Sequence, residues 1–409
     1  MATLYVGIDI GAEHNTAHFM AQDGSSVGRL TFPNDLEGAQ SLIGRVLELK
    51  AAHGTDAVRL GMEATGVYWW HLYHAIVEAP ELSGLDVKTA VINPKVVDGF
   101  KGIYTDVPKT DLVDAWVIAD CVRFGRIRVY PPLDPRYAPL QRLTRLRYQM
   151  THDLTREKNR ALSLLFLRFS TYAKDRPFSD VFGAASTAVF TELAVDDIVT
   201  MPLEDLAARI MEHGRGHFDD PQAVAKELKQ AARRAYRLSP KMDDAVAVTL
   251  SLTVANIAFL EKQIACVDRA IAKEMKAFPA ILSTVPGIGD VYAAGILAEI
   301  GDIHRFPNDN ALAKYAGLTW RQHQSGSFEA DDLPLTRSGN AYLRYYLTQA
   351  ANSVRVREPE YAAFYERKYR EARHHHHKRA LVLTARKLTG LVFALLNEGQ
   401  IYQPRRNAS

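Results

Sequence analysis

Apolar residues recur with two different periods along this chain. Over the first 125 positions, short runs at 4–10, 15–21, 27–32, 58–63 and 87–92 read as strands, and longer amphipathic stretches at 35–52, 67–78, 94–101 and 110–124 read as helices. The turn Asp23-Gly24-Ser25-Ser26 joins the second and third runs, so the first three strands predict an antiparallel meander. Pro131, Pro132, Pro135 and Pro139 punctuate the exit from this segment. Beyond them the period is helical. Leu140, Leu143, Leu146, Met150, Leu154, Ala161 and Leu164 predict an amphipathic helix over 137–170. Residues 171–240 are broken by Pro177, Pro202, Pro221, Gly214 and Gly216 and read as an insertion of short helices. Val246, Leu250, Ile257, Leu260, Ile264, Val267 and Ile271, with Thr253 as the one polar interruption, then alternate by threes and fours over 241–277, a coiled-coil seam whose partner is either the 137–170 helix or a second protomer. From Phe278 the pattern changes again. Thr284-Val285-Pro286-Gly287-Ile288-Gly289-Asp290, followed by the small-residue stretch 291–300, predicts a helix-hairpin-helix element with amides aimed at a phosphate.

These shifts divide the chain into an α/β part over 1–130, a helical coiled-coil part over 131–277 with its insertion at about 171–240, and a helical part over 278–409. Charge follows the same division. The whole chain carries +3, but residues 1–120 hold 8 Lys/Arg against 16 Asp/Glu, a balance of −8, leaving +11 for the rest. Arg142, Arg145, Arg147, Arg156, Lys158 and Arg160 concentrate on one predicted helix, as a surface that grips a polyanion would require. Two cysteines, Cys121 and Cys266, are too few for a disulfide framework or a metal knuckle. The N-terminus has no basic-then-apolar leader pattern, and a cytoplasmic location is expected.

The acidic part holds the candidate chemistry. Asp9 ends one apolar strand and Glu63 another, while Asp111 and Asp114 share a face of one helix by their spacing of three. A three-stranded meander followed by alternating helix and strand is the element order of a ribonuclease-H-like domain, in which the first and fourth strands are central neighbours. Asp9 and Glu63 then lie side by side, with Asp111 and Asp114 brought over them. Four oxygen donors of this kind suit hard divalent cations acting on a phosphodiester. Singly, each acid has an ordinary role as a strand end or a first-turn residue favoured by the helix dipole. Gly7-Ile8-Asp9-Ile10-Gly11 also resembles the first phosphate loop of actin-like ATPases, but nothing in residues 130–409 repeats it. A structure-specific junction nuclease using the acids alone is the other alternative. His374–His377 reads as a solvated run, since adjacent histidines hold no fixed metal geometry. Tyr68, Trp69, Trp70, His71 and Tyr73 read as an aromatic helix face covering the sheet.

Six ordered motifs carry a family resemblance: Ile8-Asp9-Ile10-Gly11-Ala12, Gly61-Met62-Glu63-Ala64-Thr65-Gly66, Lys109-Thr110-Asp111-Leu112-Val113-Asp114-Ala115, Val285-Pro286-Gly287-Ile288-Gly289, Tyr315-Ala316-Gly317-Leu318 and Arg337-Ser338-Gly339-Asn340. The chain resembles DEDD-type bacterial insertion-sequence transposases of the Piv-like invertase group, which join an N-terminal RuvC-like domain to a C-terminal transposase domain. The resemblance spans nearly everything outside 171–240. It implies a recombinase that cuts and rejoins donor and target DNA, guided to both by a structured RNA. It also implies Mg²⁺, two ions per site, held by Asp9, Glu63, Asp111 and Asp114, and a serine nucleophile in the C-terminal part. The Ser-Gly motif after the Gly-Leu loop matches Ser325-Gly326, which makes Ser325 the candidate, with Ser327 and Ser338 as alternatives and His323 as a possible base. Gly287, Gly289 and Arg337 join the basic helix as candidate DNA or RNA contacts. The resemblance further implies that the two halves of one active site come from different protomers of a homo-oligomer, at least a dimer and a tetramer on DNA.

Overall fold

A computed structural model describes residues 2–64, 66–104, 108–125, 134–320, 335–336 and 338–404, with the backbone alone at 324–325 and 328–329. The chain divides into two compact units, 1–133 and 134–409.

The N-terminal unit begins with strands β1 (Thr3–Ile10), β2 (His14–Met20) and β3 (Ser26–Pro33), which pair antiparallel in sequence. Helix α1 (Leu36–Ala52) leads to β4 (Ala57–Glu63), α2 (Trp69–Val77) leads to β5 (Asp86–Ile92), and α3 (Pro94–Lys101) and α4 (Asp111–Phe124) complete the unit. The sheet runs β3-β2-β1-β4-β5, with β4 parallel to both β1 and β5. It is a mixed α/β sheet with β1 at its centre, in the order the periodicity predicts.

The two faces of this sheet differ in kind. Leu4, Val6, Ile8 and Ile10 of β1, with Val58, Leu60 and Met62 of β4, bury themselves against α1 and α2, where Leu42, Val46, Leu72 and Ile76 complete the core. Each such side chain contributes about 1.5–3 kcal/mol by leaving water. The alternate residues of the same strands face α4, which is why the acids, at odd positions, stand on that side. Helix α1 starts where the Asp35 side chain accepts from Gly38 N at 2.8 Å. Trp69 and Tyr73 of α2 pack against the core as partly buried rings, whereas Tyr68 and His71 of the expected aromatic face are exposed.

The second unit is helical in its described residues apart from a small β-ribbon. Helices α5 (Ala138–Arg168) and α11 (Pro240–Met275) run antiparallel and bridge their lengths through Arg147–Asp268 at 2.5 Å, Lys158–Glu261 at 2.7 Å and Arg168–Asp243 at 3.2 Å. The intrachain helix is therefore a partner of the 241–277 seam. Val246, Leu250, Ile257, Val267 and Ile271 are buried, with Thr253 donating its hydroxyl proton back to Thr249 O rather than leaving a polar atom unmet. Val248, Leu252 and Phe259 of α11 lie on a second stripe and remain more than 60 % exposed.

The stretch expected to be an insertion carries α6 (Tyr172–Asp175), α7 (Ala184–Glu192), α8 (Val195–Thr200), α9 (Leu203–His213) and α10 (Pro221–Arg234). Pro202 and Pro221 mark helix starts, while Pro177 lies in the loop after α6. Tyr172, Phe190, Ile198, Leu206, Ile210 and Leu228 form a core there that continues into Leu165, Leu250 and Ile257 of the long pair. Helices α12 (Asp290–Ile300) and α13 (Asp309–Ala316), the ribbon strands β6 (Gln324–Ser325) and β7 (Phe328–Glu329), and helices α14 (Ala341–Arg357), α15 (Pro359–Glu371) and α16 (His376–Glu398) follow.

Two helices, Pro240–Met275 and His376–Glu398, are long and apolar enough by length and composition to cross a membrane. Both pack lengthwise on helices of their own unit, α11 on α5, and α16 on α14 and α15.

The helix-hairpin-helix expectation needs revision. What precedes the Pro-Gly turn is a single 3-10 turn, Leu282–Thr284, and not an α-helix. Gly287, at φ +101°, is there because a Cβ would lie 2.8 Å from the Val354 backbone of α14. The small residues of α12 serve packing too: Gly295 accommodates the ring of Tyr346, whose hydroxyl donates to Thr144 O at 2.7 Å. Gly289 alone stands in open space, and Asp290 beside it already sets a carboxylate at the positive end of the helix dipole.

Candidate active site

Parallel pairing sets the acids. Gly7 opposes Gly61 and Ile8 opposes Met62 in the β1–β4 ladder, so Asp9 and Glu63 follow side by side at the strand ends. Helix α4 lies directly over the glycines: a Cβ on Gly7 would fall on Ala115 O and Ala119 N, and one on Gly61 would fall on Val122. Only glycine permits so close an approach. The approach carries the first turn of α4, with Asp111 and Asp114, toward the strand ends, and Thr110 caps that turn by accepting from Val113 N at 3.3 Å.

The four carboxyls interact. Asp9 is pushed up from its ordinary 3.8 to about 6, first by burial and then by the negative charges of Asp114, Asp111 and Glu63. Lys101 at the end of α3 supplies a counter-charge by an ion pair with Asp114. Among the described residues no three His, Cys, Asp or Glu side chains stand close enough to hold an ion as they are. The four acids thus form an open cluster. Its donor set is oxygen throughout and its charge is in excess, both of which fit a hard divalent cation.

The basic helix resolves into two groups. Arg145 binds Glu299 through Nε at 2.7 Å and Nη2 at 2.9 Å and stacks on Tyr342, and Arg147 binds Asp268. Both guanidiniums are engaged within the helical unit. Lys158 pairs with Glu261 across the α5–α11 contact. Arg156 and Arg160 are mostly exposed and, among the described residues, pair with neighbours on their own helix, Asp153 and Glu157. Arg142 has an interaction of its own within the chain.

Ser325 lies in the backbone of β6, where it pairs with Phe328 of β7. Ser327, His323 and Arg337 lie outside the described residues. Ser338 is exposed immediately before Gly339 and Asn340. Of the histidine run, His376 Nδ1 donates to Tyr369 O at 2.8 Å and His377 Nδ1 lies 2.7 Å from Tyr365 Oη, so both fasten the α15–α16 turn.

The sequence reading missed Lys101, Gly7 and Gly61 as parts of the site. A signal for the glycines was present: Gly7-Ile8-Asp9 and Gly61-Met62-Glu63 share the order glycine, apolar residue, acid.

Residues 6–169 match the transposase family model of the IS110 DEDD type, and residues 280–366 match the model described as Transposase IS116/IS110/IS902 family. The chain belongs to this transposase family. An uncharacterized protein of insertion element IS116 from Streptomyces clavuligerus is 25 % identical over 98 % of this transposase and 96 % of its own length. A pilin gene-inverting protein of Moraxella bovis is 24 % identical over 99 % of each chain. Thermus thermophilus RuvC bound to a Holliday junction substrate is similar over 31 % of this transposase and 95 % of that chain, at 18 % identity and a TM-score of 0.24. A score of that size carries no argument, and the topology of the N-terminal unit stands on its own strand order.

Proposed function

We propose that this transposase cuts and rejoins the donor and target DNA of an insertion sequence in the cytoplasm, using Mg²⁺ at the acid cluster and Ser325 as nucleophile, under the direction of an element-encoded RNA. The observation that carries the reading is the convergence of Asp9 with Asp114, Asp111 and Glu63 at the strand ends, where burial first and then these three charges push Asp9 up to about 6. A protein has little reason to gather four carboxylates at strand ends and a helix start unless a cation is to be bound there.

In this reading Asp9, Glu63, Asp111 and Asp114 hold the metal, which would supply charge neutralisation at the phosphate and a more acidic nucleophile. Ser325 Oγ attacks phosphorus and forms a serine–phosphate bond as the bond to one DNA oxygen breaks. The departing strand end takes up the serine proton. A new strand end then attacks the same phosphorus, regenerates the hydroxyl, and completes the exchange with no net change in the number of phosphodiesters. Arg156 and Arg160 provide exposed positive charge for nucleic acid, with Arg337 as a further candidate. The apolar stripe of Val248, Leu252 and Phe259 on α11 suits self-association, which a site shared between protomers requires.

The test is strand exchange on DNA carrying the element ends, with RNA that copurifies with the protein sequenced and supplied. The expected result is Mg²⁺-dependent exchange with a trapped protein–DNA adduct that Ser325→Ala abolishes. Full exchange by Ser325→Ala, with no adduct, overturns the serine assignment.

A further inference from the structure

Glu299 is the most deeply buried carboxylate among the described residues of the helical unit, with its side chain 0 % exposed. It sits in α12 and is met from two sides. From α5 come the two guanidinium nitrogens of Arg145 and, at 3.3 Å, Gln141 Nε2. From the start of α14 comes Asn340 Nδ2, which donates to Glu299 Oε2 at 2.6 Å and also reaches Tyr315 Oη at 3.2 Å. A buried ion pair is a poor way to add stability, because desolvation offsets most of the attraction. Its best-attested use is to specify one arrangement among several.

The arrangement specified here is the junction between the chain on either side of residues 321–334. Asn340 N donates to Tyr315 O at 2.7 Å, Thr336 N donates to Thr319 O at 2.8 Å, and Trp320 bridges Leu335 antiparallel. Gly339, at φ +143°, fits because a Cβ would stand 2.5 Å from Tyr315 O. Two sequence motifs separated by 18 residues, Tyr315–Leu318 and Arg337–Asn340, are thus fastened to each other through Tyr315 and Asn340 at the two ends of the segment that carries Ser325.

We infer that Glu299 and Asn340 are positioning residues that clamp the Tyr315–Trp320 stretch to the Ser338–Asn340 stretch, at the two ends of the segment that carries Ser325. Only the consequence for adduct formation rests on Ser325 being the nucleophile. The clamp itself can be tested separately from that assignment.

Asn340 has two duties, since its Oδ1 also caps α14 by accepting from Leu343 N at 3.0 Å. Asn340→Ser keeps the cap, because serine is a favoured N-cap residue, but cannot span to Glu299. Tyr315→Phe removes a single oxygen from the same network and serves if Asn340→Ser does not fold. In the full-length variants, amide hydrogen exchange at Thr336 and in β6–β7 is expected to quicken roughly tenfold, the loss of about one hydrogen bond, with the melting temperature and exchange in α11 unchanged. Adduct formation should slow about tenfold at saturating DNA while DNA affinity stays constant, a split that a general loss of structure would not give. Unchanged exchange at Thr336 and the ribbon in both variants overturns the clamp. If exchange quickens and Ser325→Ala still forms the adduct, the clamp stands and the serine assignment falls.

Discussion

Gly7 and Gly61 oppose each other across the β1–β4 ladder, and each stands two residues ahead of a carboxylate on the same face of the sheet. The pair is a seat for α4, and the seat fixes how near Asp111 and Asp114 come to Asp9. Replacing Gly7 by alanine sets a Cβ against the backbone of Ala115 and Ala119, which cannot yield as a flexible side chain would. Gly7→Ala is expected to cost about 1–3 kcal/mol in urea unfolding and to reduce DNA cleavage beyond what the stability loss explains. Gly44→Ala is the control, an exposed position inside α1 where a Cβ meets nothing within 4 Å, and should gain about 0.5–1 kcal/mol without changing activity.

The crowding of Asp9 has a sign that can be measured. Its carboxyl keeps its proton up to about 6 in the fold but only to its ordinary 3.8 in the unfolded chain. Between those values the folded chain binds more protons, so this group's contribution favours folding at the acid end and declines as pH rises through the window. Allowing for solvent screening of a half-buried group, the decline is about 1–2 kcal/mol. Urea unfolding without divalent metal, at several pH values from about 4 to 7, should show that the stability difference between Asp9→Asn and the parent grows in the variant's favour as pH rises. A difference that stays flat would mean that the acids do not crowd Asp9.

The arginines of α5 separate into stability and binding. Arg145→Ala leaves the Glu299 carboxylate buried without its main partner and is expected to cost about 3–5 kcal/mol. Arg156→Ala and Arg160→Ala remove exposed charges and should change stability by no more than about 0.5 kcal/mol. If those two side chains meet phosphates, each substitution lowers the slope of log affinity against log salt by about 0.9. Slopes equal to the parent's would remove them from the nucleic-acid surface.

Strand order, the central placing of β1 and β4 and the site of the four acids were legible because period-2 and period-3.6 patterns are local, and parallel neighbours follow from the connections. The partners of the basic side chains were not legible. Arg145 and Arg156 look alike in sequence, eleven residues apart on one helix, yet one meets Glu299 from α12 and the other pairs with Asp153 on its own helix. That difference depends on which helix packs beside each, a long-range fact that a local pattern does not encode. The packing role of Gly287 was not legible for the same reason. Pro-Gly-x-Gly fits a phosphate turn and a helix contact equally well until Val354 is found against it.

The proposed division of labour between the acid cluster and Ser325 predicts a result that single variants cannot give. Asp9→Asn, Glu63→Gln and Asp114→Asn should each lower DNA cleavage by more than about a hundredfold while leaving nucleic-acid affinity close to the parent's, since the cluster repels phosphate until a cation is present. Ser325→Ala should do the same by removing the attacking atom. If the cluster of one protomer serves the serine of another, mixing Asp9→Asn protein with Ser325→Ala protein places an intact cluster opposite an intact serine in part of the mixed assemblies. Strand cleavage should then reappear in the mixture, and gel analysis of the adduct should find DNA linked only to the Asp9→Asn chain, which is distinguishable by a size tag. If instead each chain completes its own site, no combination restores the chemistry, and the mixture stays as inactive as its components.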